Sequence, residues 1–374
     1  MANDFPLDLD VLLRVLNHLN MGVYITDLDR RIVLWNRKAE EITGHKAADV
    51  VGKHCRDNVL CHVDKYGNLL CLTNLCPLFR AIQTNSESKQ PVLVFGQKAG
   101  GGRVALSTTV APLHDESGVV IGGIETFRDE TEALIDLEFA QKIQKHLFPA
   151  KLPATDKVAF DARYYPHDLV GGDFYDVAEL GGGKYSVFVA DVRGHGVSAS
   201  LYTMVLNTVK DSLAAAAADP SAFLAAMNRE LSRLVVSESF ATAAYAVLDA
   251  NTWEFTYASA GHPAALHYRA AEKETAPLET FGLPLGIDAS ESYESLSVFL
   301  MPGDLVLYYT DGLTDIVVQG GKALSAEGLG RLLCDEISKS RDSLLGRLYE
   351  SAVSMNTEVA INDDVLIVSV ARKS

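Results

Sequence analysis

The chain has 374 residues, of which 48% are hydrophobic, and this is enough apolar material for two globular domains, each with its own core. Its formal net charge of -16 argues against a nucleic-acid binder and against attraction to an anionic membrane, since both need a basic face. No stretch is apolar enough to cross a bilayer, and the acidic start lacks the basic region of a signal peptide, so we expect a cytoplasmic protein with reduced thiols.

Residues 8–128 have the pattern of one small α+β domain. Leucines at helical spacing are followed by alternating runs that predict strands, with two short helical stretches between them. We expect helices at residues 9–19, 37–43 and 47–50, and strands at residues 22–27, 32–36, 91–97, 103–112 and 119–128.

Four of the five cysteines fall within this domain, between Cys55 and Cys76. Thiolates and imidazoles bind Zn²⁺, and thiolates also hold iron–sulfur clusters, so Cys55, His62, Cys71 and Cys76 are candidates for a second metal site. They are also candidates for a thiol redox centre. Because no two of these cysteines form a close Cys-x-x-Cys pair, the spacing is not that of a zinc knuckle. Buried cysteines acting as small hydrophobic residues are the simpler alternative.

Residues 129–150 are predicted to form a connecting linker helix. Ile135, Phe139, Ile143 and Leu147 recur at four-residue intervals and form an apolar stripe. The stripe could pack within one chain or against the same helix of a second copy, so we expect a homodimer through this helix or through the N-terminal domain.

Residues 151–374 form the second predicted domain. Strand-like runs alternate with long helical segments, which is typical of a β-sandwich flanked by helices and gives the whole chain an α/β (α+β) class. Strands are expected at residues 159–165, 184–191, 241–249, 253–260, 305–310 and 364–371, and helices at residues 196–217, 221–236, 325–338 and 343–358.

Four acidic motifs in this second domain lie where strand-like runs begin or end. Carboxylates that converge in space repel one another, so they persist only if cations hold them together, and their hard oxygens favour Mg²⁺ or Mn²⁺. The tight turn in the second motif also lets a main-chain carbonyl, that of Val192, approach a cation. The pattern predicts a carboxylate-rich site for two divalent cations. The motifs are Gly171-Gly172-Asp173, Asp191-Val192-Arg193-Gly194-His195-Gly196, Tyr309-Thr310-Asp311-Gly312 and Asn362-Asp363-Asp364.

The N-terminal domain resembles a PAS sensor domain, which implies an antiparallel sheet with helices and a role in reading a signal. The segments that match are Gly22-Val23-Tyr24-Ile25-Thr26-Asp27, Ile32-Val33-Leu34-Trp35-Asn36, Ala39-Glu40-Glu41-Ile42-Thr43-Gly44 and Ile121-Gly122-Gly123-Ile124-Glu125-Thr126-Phe127-Arg128-Asp129.

Residues 138–371 resemble the metal-dependent serine/threonine phosphatases of the PPM class. The closer resemblance is to the bacterial branch that includes the stage II sporulation phosphatase E and stress-response phosphatases acting on anti-sigma antagonists. Besides the four acidic motifs, the matching segments are Ile143-Gln144-Lys145-His146-Leu147-Phe148-Pro149, Ala260-Gly261-His262-Pro263 and Gly282-Leu283-Pro284-Leu285-Gly286.

The resemblance to PPM phosphatases implies a role for each acidic motif. Asp191 is expected to bridge the two metals, with the carbonyl of Val192 on one of them. The remaining ligands are expected to be Asp173, Asp311 and one of Asp363 and Asp364, with Asp363 favoured by the family pattern.

The same resemblance implies the reaction. A water that bridges the two metals attacks the phosphorus of a phosphoserine or phosphothreonine, so neither a protein nucleophile nor a catalytic cysteine is needed. The expected substrate is a phosphorylated STAS-type antagonist of an anti-sigma factor. His195 and His262 are candidates for the proton donor to the leaving oxygen, although a structural hydrogen bond is the simpler role for both.

Two alternatives compete with an active phosphatase. A pseudophosphatase would keep the fold and bind the antagonist without turnover, and the intact set of aspartates argues against it. A diguanylate cyclase would share the Gly-Gly-Asp-Phe sequence of residues 171–174, but Phe174 stands where that enzyme needs an acidic residue.

Overall fold

The structure is a computed structural model that describes residues 8–64, 67–71, 73–88, 90–194, 196–234, 239–357, 361 and 363–373. The chain divides into two compact units, Met1–Asp136 and Leu137–Ser374, so the division falls inside the predicted linker. Within the described ranges, no helix has both the length and the apolar character needed to cross a membrane.

The N-terminal unit is built on one antiparallel sheet with helices beside it. Its strands are β1 (Gly22–Asp27), β2 (Ile32–Trp35), β3 (Val92–Gln97), β4 (Arg103–His114) and β5 (Val120–Asp129). Its helices are α1 (Leu9–His18), α2 (Arg37–Thr43), α3 (Ala47–Val50) and α4 (Pro77–Thr84). The strand order is β2-β1-β5-β4-β3. This confirms the predicted α+β architecture.

The core of this unit lies between the sheet and the helices. Tyr24, Trp35 and Phe127 form an aromatic cluster with ring centroids 5.5 to 6.4 Å apart. Leu78 and Ile82 of α4 pack closely over the backbone of β5. The sequence analysis did not predict α4, although Pro77 at its first position is a recognised helix-start signal.

The C-terminal unit follows the connecting helix α5 (Thr131–Lys145). Its strands are β6 (Val158–Tyr165), β7 (Asp173–Gly181), β8 (Lys184–Val192), β9 (Ala241–Asp249), β10 (Glu254–Ala260), β11 (Ala265–Arg269), β12 (Glu274–Leu278), β13 (Leu296–Phe299), β14 (Leu305–Tyr309), β15 (Val317–Val318), β16 (Lys322–Ala323) and β17 (Val365–Arg372). Its helices are α6 (Val197–Ser212), α7 (Pro220–Leu234), α8 (Asp311–Thr314), α9 (Ser325–Lys339) and α10 (Leu344–Ser354), with a short 3₁₀ turn at Ala214–Ala216.

Two five-stranded antiparallel sheets form the sandwich, in the orders β13-β10-β9-β8-β7 and β12-β11-β14-β17-β6. Along β8 the side chains alternate between two cores, because successive residues of a strand point to opposite faces. Val187 and Val189 face the other sheet, where they join Val368 of β17 in one buried cluster. Phe188 faces α6 and α7, and α9 and α10 cover the outer face of the other sheet. The prediction of a β-sandwich flanked by helices is confirmed.

Candidate active site

Two of the predicted aspartates are brought together by a β-hairpin. β7 begins at Asp173 and β8 ends one residue after Asp191, and these two residues are direct partners in the antiparallel register. Asp173 is buried and Asp191 is half-buried. Both carboxylates therefore belong to one end of the first sheet.

The other two acidic motifs lie at the ends of neighbouring strands in the second sheet. Asp311 opens α8 directly after β14, and Asp363 and Asp364 immediately precede β17. The hydroxyl of Thr310 donates a 2.8 Å hydrogen bond to Oδ2 of Asp173 and accepts a 2.9 Å bond from a backbone N–H of β17. Thr310 thus connects the second sheet to the aspartate of the first.

Asp363 and Asp364 have different surroundings. Asp364 is buried, its Oδ1 accepts the backbone N–H of His167 at 2.7 Å, and its Oδ2 accepts that of Gly172 at 2.7 Å. Asp363 is exposed. Asp364 therefore braces the segment that leads into Asp173, whereas Asp363 presents its side chain to solvent.

The aspartates oppose one another's ionisation. Burial raises the pKa of Asp173 well above its ordinary value, and the charges of Asp191 and Asp364 raise it further. Burial, followed by the charges of Asp311 and Asp363, raises the pKa of Asp191 to about 7. Burial and then Asp363 also raise the pKa of Asp311. Neighbouring carboxylates, and no lysine or arginine of the described chain, are the main charged influences on these three pKa values.

The chemistry of this donor set fits hard divalent cations. The side-chain donors are carboxylate oxygens, which Mg²⁺ and Mn²⁺ prefer. Val192 directly follows Asp191 at the end of β8, and its N–H donates to the Gly172 carbonyl at 3.2 Å. As they stand, no three His, Cys, Asp or Glu side chains among the described residues lie close enough together to hold a metal ion.

The two histidines proposed as proton donors have separate outcomes. His195 lies outside the described residues. His262 is buried, its Nδ1 lies 2.9 Å from Oγ1 of Thr242, and its backbone N–H donates to Oγ of Ser259 at 3.0 Å. Burial lowers the pKa of His262 to about 4, so at neutral pH the imidazole has no extra proton to donate. These contacts favour the structural role.

The sequence analysis gave Gln144 no role at the site. Gln144 is buried on α5, where its Nε2 donates to the Gly171 carbonyl at 2.6 Å and lies 3.3 Å from Oγ1 of Thr203. Its Oε1 accepts the Gly171 N–H at 3.2 Å. In the sequence, the only indication of a role for Gln144 was its place in the motif that starts at Ile143. The apolar stripe of the helix consists of other residues and gave no such indication. Gln144 fixes the backbone two residues before Asp173.

Cys55, His62, Cys71 and Cys76, the candidates for a second metal or redox site, include no group of three metal-ligating side chains placed to hold an ion within the described residues. All four side chains are buried. The imidazole Nε2 of His62, however, lies 3.6 Å from Oε1 of Glu125, and only the backbone N–H of His62 contacts a thiol, that of Cys71. Because the imidazole faces a carboxylate, the structure does not support the Zn²⁺ and iron–sulfur predictions.

Two family models match the chain. The model of stage II sporulation protein E (SpoIIE) matches residues 181–373, and a PAS domain model matches residues 20–132. The first match covers about half of the chain, from the end of β7 to the end of β17.

Characterised relatives cover the second unit. Phosphoserine phosphatase RsbU of Bacillus subtilis is 27% identical over 244 residues, which are 65% of this chain and 72% of RsbU. Phosphoserine phosphatase RsbP of the same organism is 28% identical over 184 residues, which are 48% of this chain and 45% of RsbP. This chain therefore matches less than half the length of RsbP.

Solved structures share the fold of the second unit. The SiaA-PP2C domain of Pseudomonas aeruginosa superposes with a TM-score of 0.58 at 22% identity, over 66% of this chain and 97% of that one. The RsbU and RsbW domains of a Mycobacterium tuberculosis protein superpose with a TM-score of 0.52 at 29% identity, over 59% of this chain and 62% of that one. The chain is a PAS-containing homologue of phosphoserine phosphatases and belongs to the stage II sporulation protein E (SpoIIE) family.

Proposed function

We propose that the acidic end of the sandwich is the centre through which this homologue of phosphoserine phosphatases removes phosphate from phosphoserine or phosphothreonine in proteins. The observation that carries the proposal is the convergence of acidic motifs from both sheets, which are linked by the hydrogen bond from Thr310 to Asp173 and raise one another's pKa. Homology to RsbU and RsbP supports the reaction class.

In this proposal the site holds two divalent cations, Mn²⁺ or Mg²⁺. Bound cations would lower the pKa of water and neutralise charge on the phosphoryl group. The residues proposed to hold them are Asp173, Asp191, Asp311 and Asp363, together with the carbonyl of Val192. Asp364 is a positioning residue, because both of its carboxylate oxygens already accept backbone N–H groups.

The remaining residues of the site hold its geometry. Thr310 orients the buried carboxylate of Asp173 from the opposite sheet, and Gln144 fixes the backbone at Gly171. Burial and neighbouring charges raise the pKa of Asp191 to about 7. A nearby cation would stabilise the anionic form of Asp191 and so lower that pKa. Cation affinity is therefore expected to rise with pH through neutrality.

The finer proposals concern partners and organisation. The substrate is proposed to be a phosphorylated STAS-type antagonist protein, on the resemblance to that bacterial branch. A PAS sensor at residues 8–128, a linker at 129–150 and a phosphatase domain at 151–374 are proposed to work in series. Ile135, Phe139 and Ile143 of α5 are exposed, which supports a homodimer through this helix.

Phosphate release by the full-length chain tests the catalytic proposal. With a generic phosphosubstrate we expect release that requires Mn²⁺ or Mg²⁺, stops with chelator and is lost in Asp191→Asn. Asp211→Asn, which removes an exposed carboxylate at the far end of α6, is the matched control and should retain activity. Release that persists both in chelator and in Asp191→Asn would refute the assignment.

Calorimetry separates an inactive binding module from an active enzyme. Mn²⁺ binding in wild type that is weakened in Asp191→Asn supports the metal site even when the generic substrate is poor. A panel of phosphorylated STAS-type proteins then tests the substrate. No detectable Mn²⁺ binding, together with no release from any member of the panel, would favour the pseudophosphatase.

A further inference from the structure

Cys71 and Cys76 form a thiol pair in the N-terminal unit that the phosphatase chemistry does not use. Both thiols are free and buried, and Cys76 is the residue directly before the first turn of α4. Each thiol is the largest influence on the pKa of the other, which is raised for Cys71 and lowered for Cys76. The two sulfurs are thus already neighbours in the reduced protein.

The surroundings of Cys76 favour a negative charge on its sulfur. Nη1 of Arg30 lies 3.9 Å from Sγ of Cys76 and donates to the Cys71 carbonyl at 3.4 Å. The guanidinium of Arg30 also packs over the Phe79 ring at 4.8 Å, which fixes its position. Cys76 is the N-cap residue of α4, where the N–H groups of the first turn carry partial positive charge. An arginine and a helix start are the groups that stabilise thiolates in proteins.

The other thiols lack this environment. The neighbouring Cys71 thiol, followed by the Phe79 backbone and the Arg30 guanidinium, lowers the pKa of Cys76 despite burial. Burial raises the pKa of Cys55 to about 12, although Cys55 is as buried as Cys76, at 4% and 3% exposure. Burial also raises the pKa of Cys334. Cys71 accepts the His62 N–H at 3.1 Å, and its pKa is raised because it donates its proton toward Cys76.

We propose that Cys76 is a peroxide-reactive site and that Cys71 is its resolving thiol. The Cys76 thiolate attacks one oxygen of a hydroperoxide, the O–O bond breaks, and the leaving hydroxide or alkoxide takes a proton, which gives a sulfenic acid at Cys76. The Cys71 sulfur then attacks the Cys76 sulfur, the S–O bond breaks, and water leaves with the Cys71 proton. Two thiols are oxidised by two electrons to one disulfide, and the peroxide is reduced.

Burial sets the size of the oxidant. With Cys71 and Cys76 at 5% and 3% exposure, the proposal is confined to a small oxidant such as hydrogen peroxide, because a bulky thiol such as glutathione would be hindered. Formation of the disulfide removes the negative charge of the Cys76 sulfur beside Arg30. The backbone of Arg30 is part of the turn after β1, because its carbonyl accepts the Cys55 N–H and its N–H donates to the Asp27 carbonyl. Oxidation would therefore be sensed at the start of the sheet.

Peptide mapping of the intact reduced chain after timed exposure to hydrogen peroxide tests the proposal. We expect a Cys71–Cys76 cross-linked product that lacks two hydrogens. Cys76 should be consumed at least roughly tenfold faster than Cys55, which is the reference of equal burial. In Cys71→Ser, dimedone should trap a sulfenic acid at Cys76. Equal rates at Cys76 and Cys55 in the wild-type chain would overturn the proposal, and that comparison requires no variant to fold.

A charge variant tests the cause. Arg30→Met should slow oxidation of Cys76 several-fold, whereas Arg31→Met, the neighbouring arginine that contacts the Gly52 carbonyl instead, should not. An unchanged rate in Arg30→Met would contradict the mechanism. Stoichiometric zinc or iron in the purified reduced protein that is lost in Cys71→Ser would also overturn it, because the thiols would then be metal ligands.

Discussion

Replacing Asp363 and Asp364 by asparagine, one at a time, separates a metal-binding carboxylate from a positioning one. Asparagine at position 364 keeps one acceptor oxygen, so one of the two backbone N–H groups of His167 and Gly172 loses its 2.7 Å partner in a buried place. Hydrogen bonds to a charged group contribute about 1.5–3 kcal/mol each. We expect Asp364→Asn to destabilise the unit by about 2–3 kcal/mol, which lowers Tm by roughly 4–12 °C for a domain of this size.

Asp363→Asn should lower activity while leaving stability almost unchanged. Asp363 is exposed, so its removal should change stability by no more than about 0.5 kcal/mol. Loss of a proposed metal ligand should lower activity by roughly a hundredfold or more and shift the Mn²⁺ dependence to higher concentrations.

Two measurements decide between the two roles. Thermal unfolding in chelator reports stability without metal, and phosphate release across a Mn²⁺ titration reports the site. If Asp363→Asn kept wild-type activity and Mn²⁺ dependence while Asp364→Asn was fully stable and inactive, the two assignments would have to be exchanged.

Three further substitutions test the site and the N-terminal core. Gly171→Ala should abolish activity and destabilise the second unit by about 3 kcal/mol or more, because its Cβ would lie 2.2 Å from a carboxylate oxygen of Asp364. Gly100→Ala, whose Cβ would have nothing within 4 Å, is the control in thermal unfolding. Gln144→Ala should reduce phosphate release at least roughly tenfold while Gln141→Ala does not, since only Gln144 holds the backbone before Asp173, a proposed metal ligand. Equal activities would refute this role. Burial raises the pKa of Glu125 from 4.5 to about 8, so between these values the folded state binds more protons and stability falls as pH rises. Glu125→Gln, which cannot ionise at this position, should reduce that slope in urea unfolding from pH 5 to pH 8, and an unchanged slope would contradict the raised pKa of Glu125.

Much of the fold is readable from local patterns, and two of the strands that were missed share a cause. The strands of the N-terminal sheet were predicted because each alternates over several residues, as in β1 and β5. β12 and β13 were missed because both are edge strands, short and largely exposed. β12 even contains Pro277, which an edge strand tolerates and a central strand does not.

The individual motifs of the site were predictable from the sequence, but the hydrogen bonds that connect them were not. Each aspartate follows or precedes an apolar run, so its place at a strand end could be read from the sequence. The hydrogen bond from Thr310 to Asp173 spans 137 positions, and the bond from Gly172 to Asp364 spans 192. No local pattern contains contacts of that range. Sequence reasoning consequently left Asp363 and Asp364 as alternatives, and hydrogen-bond partners distinguish them.

Asp364 also explains why glycines accompany the acidic motifs. Neither Gly171 nor Gly312 is in the left-handed region that only glycine adopts easily. A Cβ at Gly171 would lie 2.2 Å from Oδ2 of Asp364, and a Cβ at Gly312 would lie 2.1 Å from the Asp364 carbonyl oxygen. Both glycines are therefore small because Asp364 occupies the space beside them. Three motifs that are far apart in the chain form one packed unit around that residue, which sets the positions from which Asp173 and Asp311 extend.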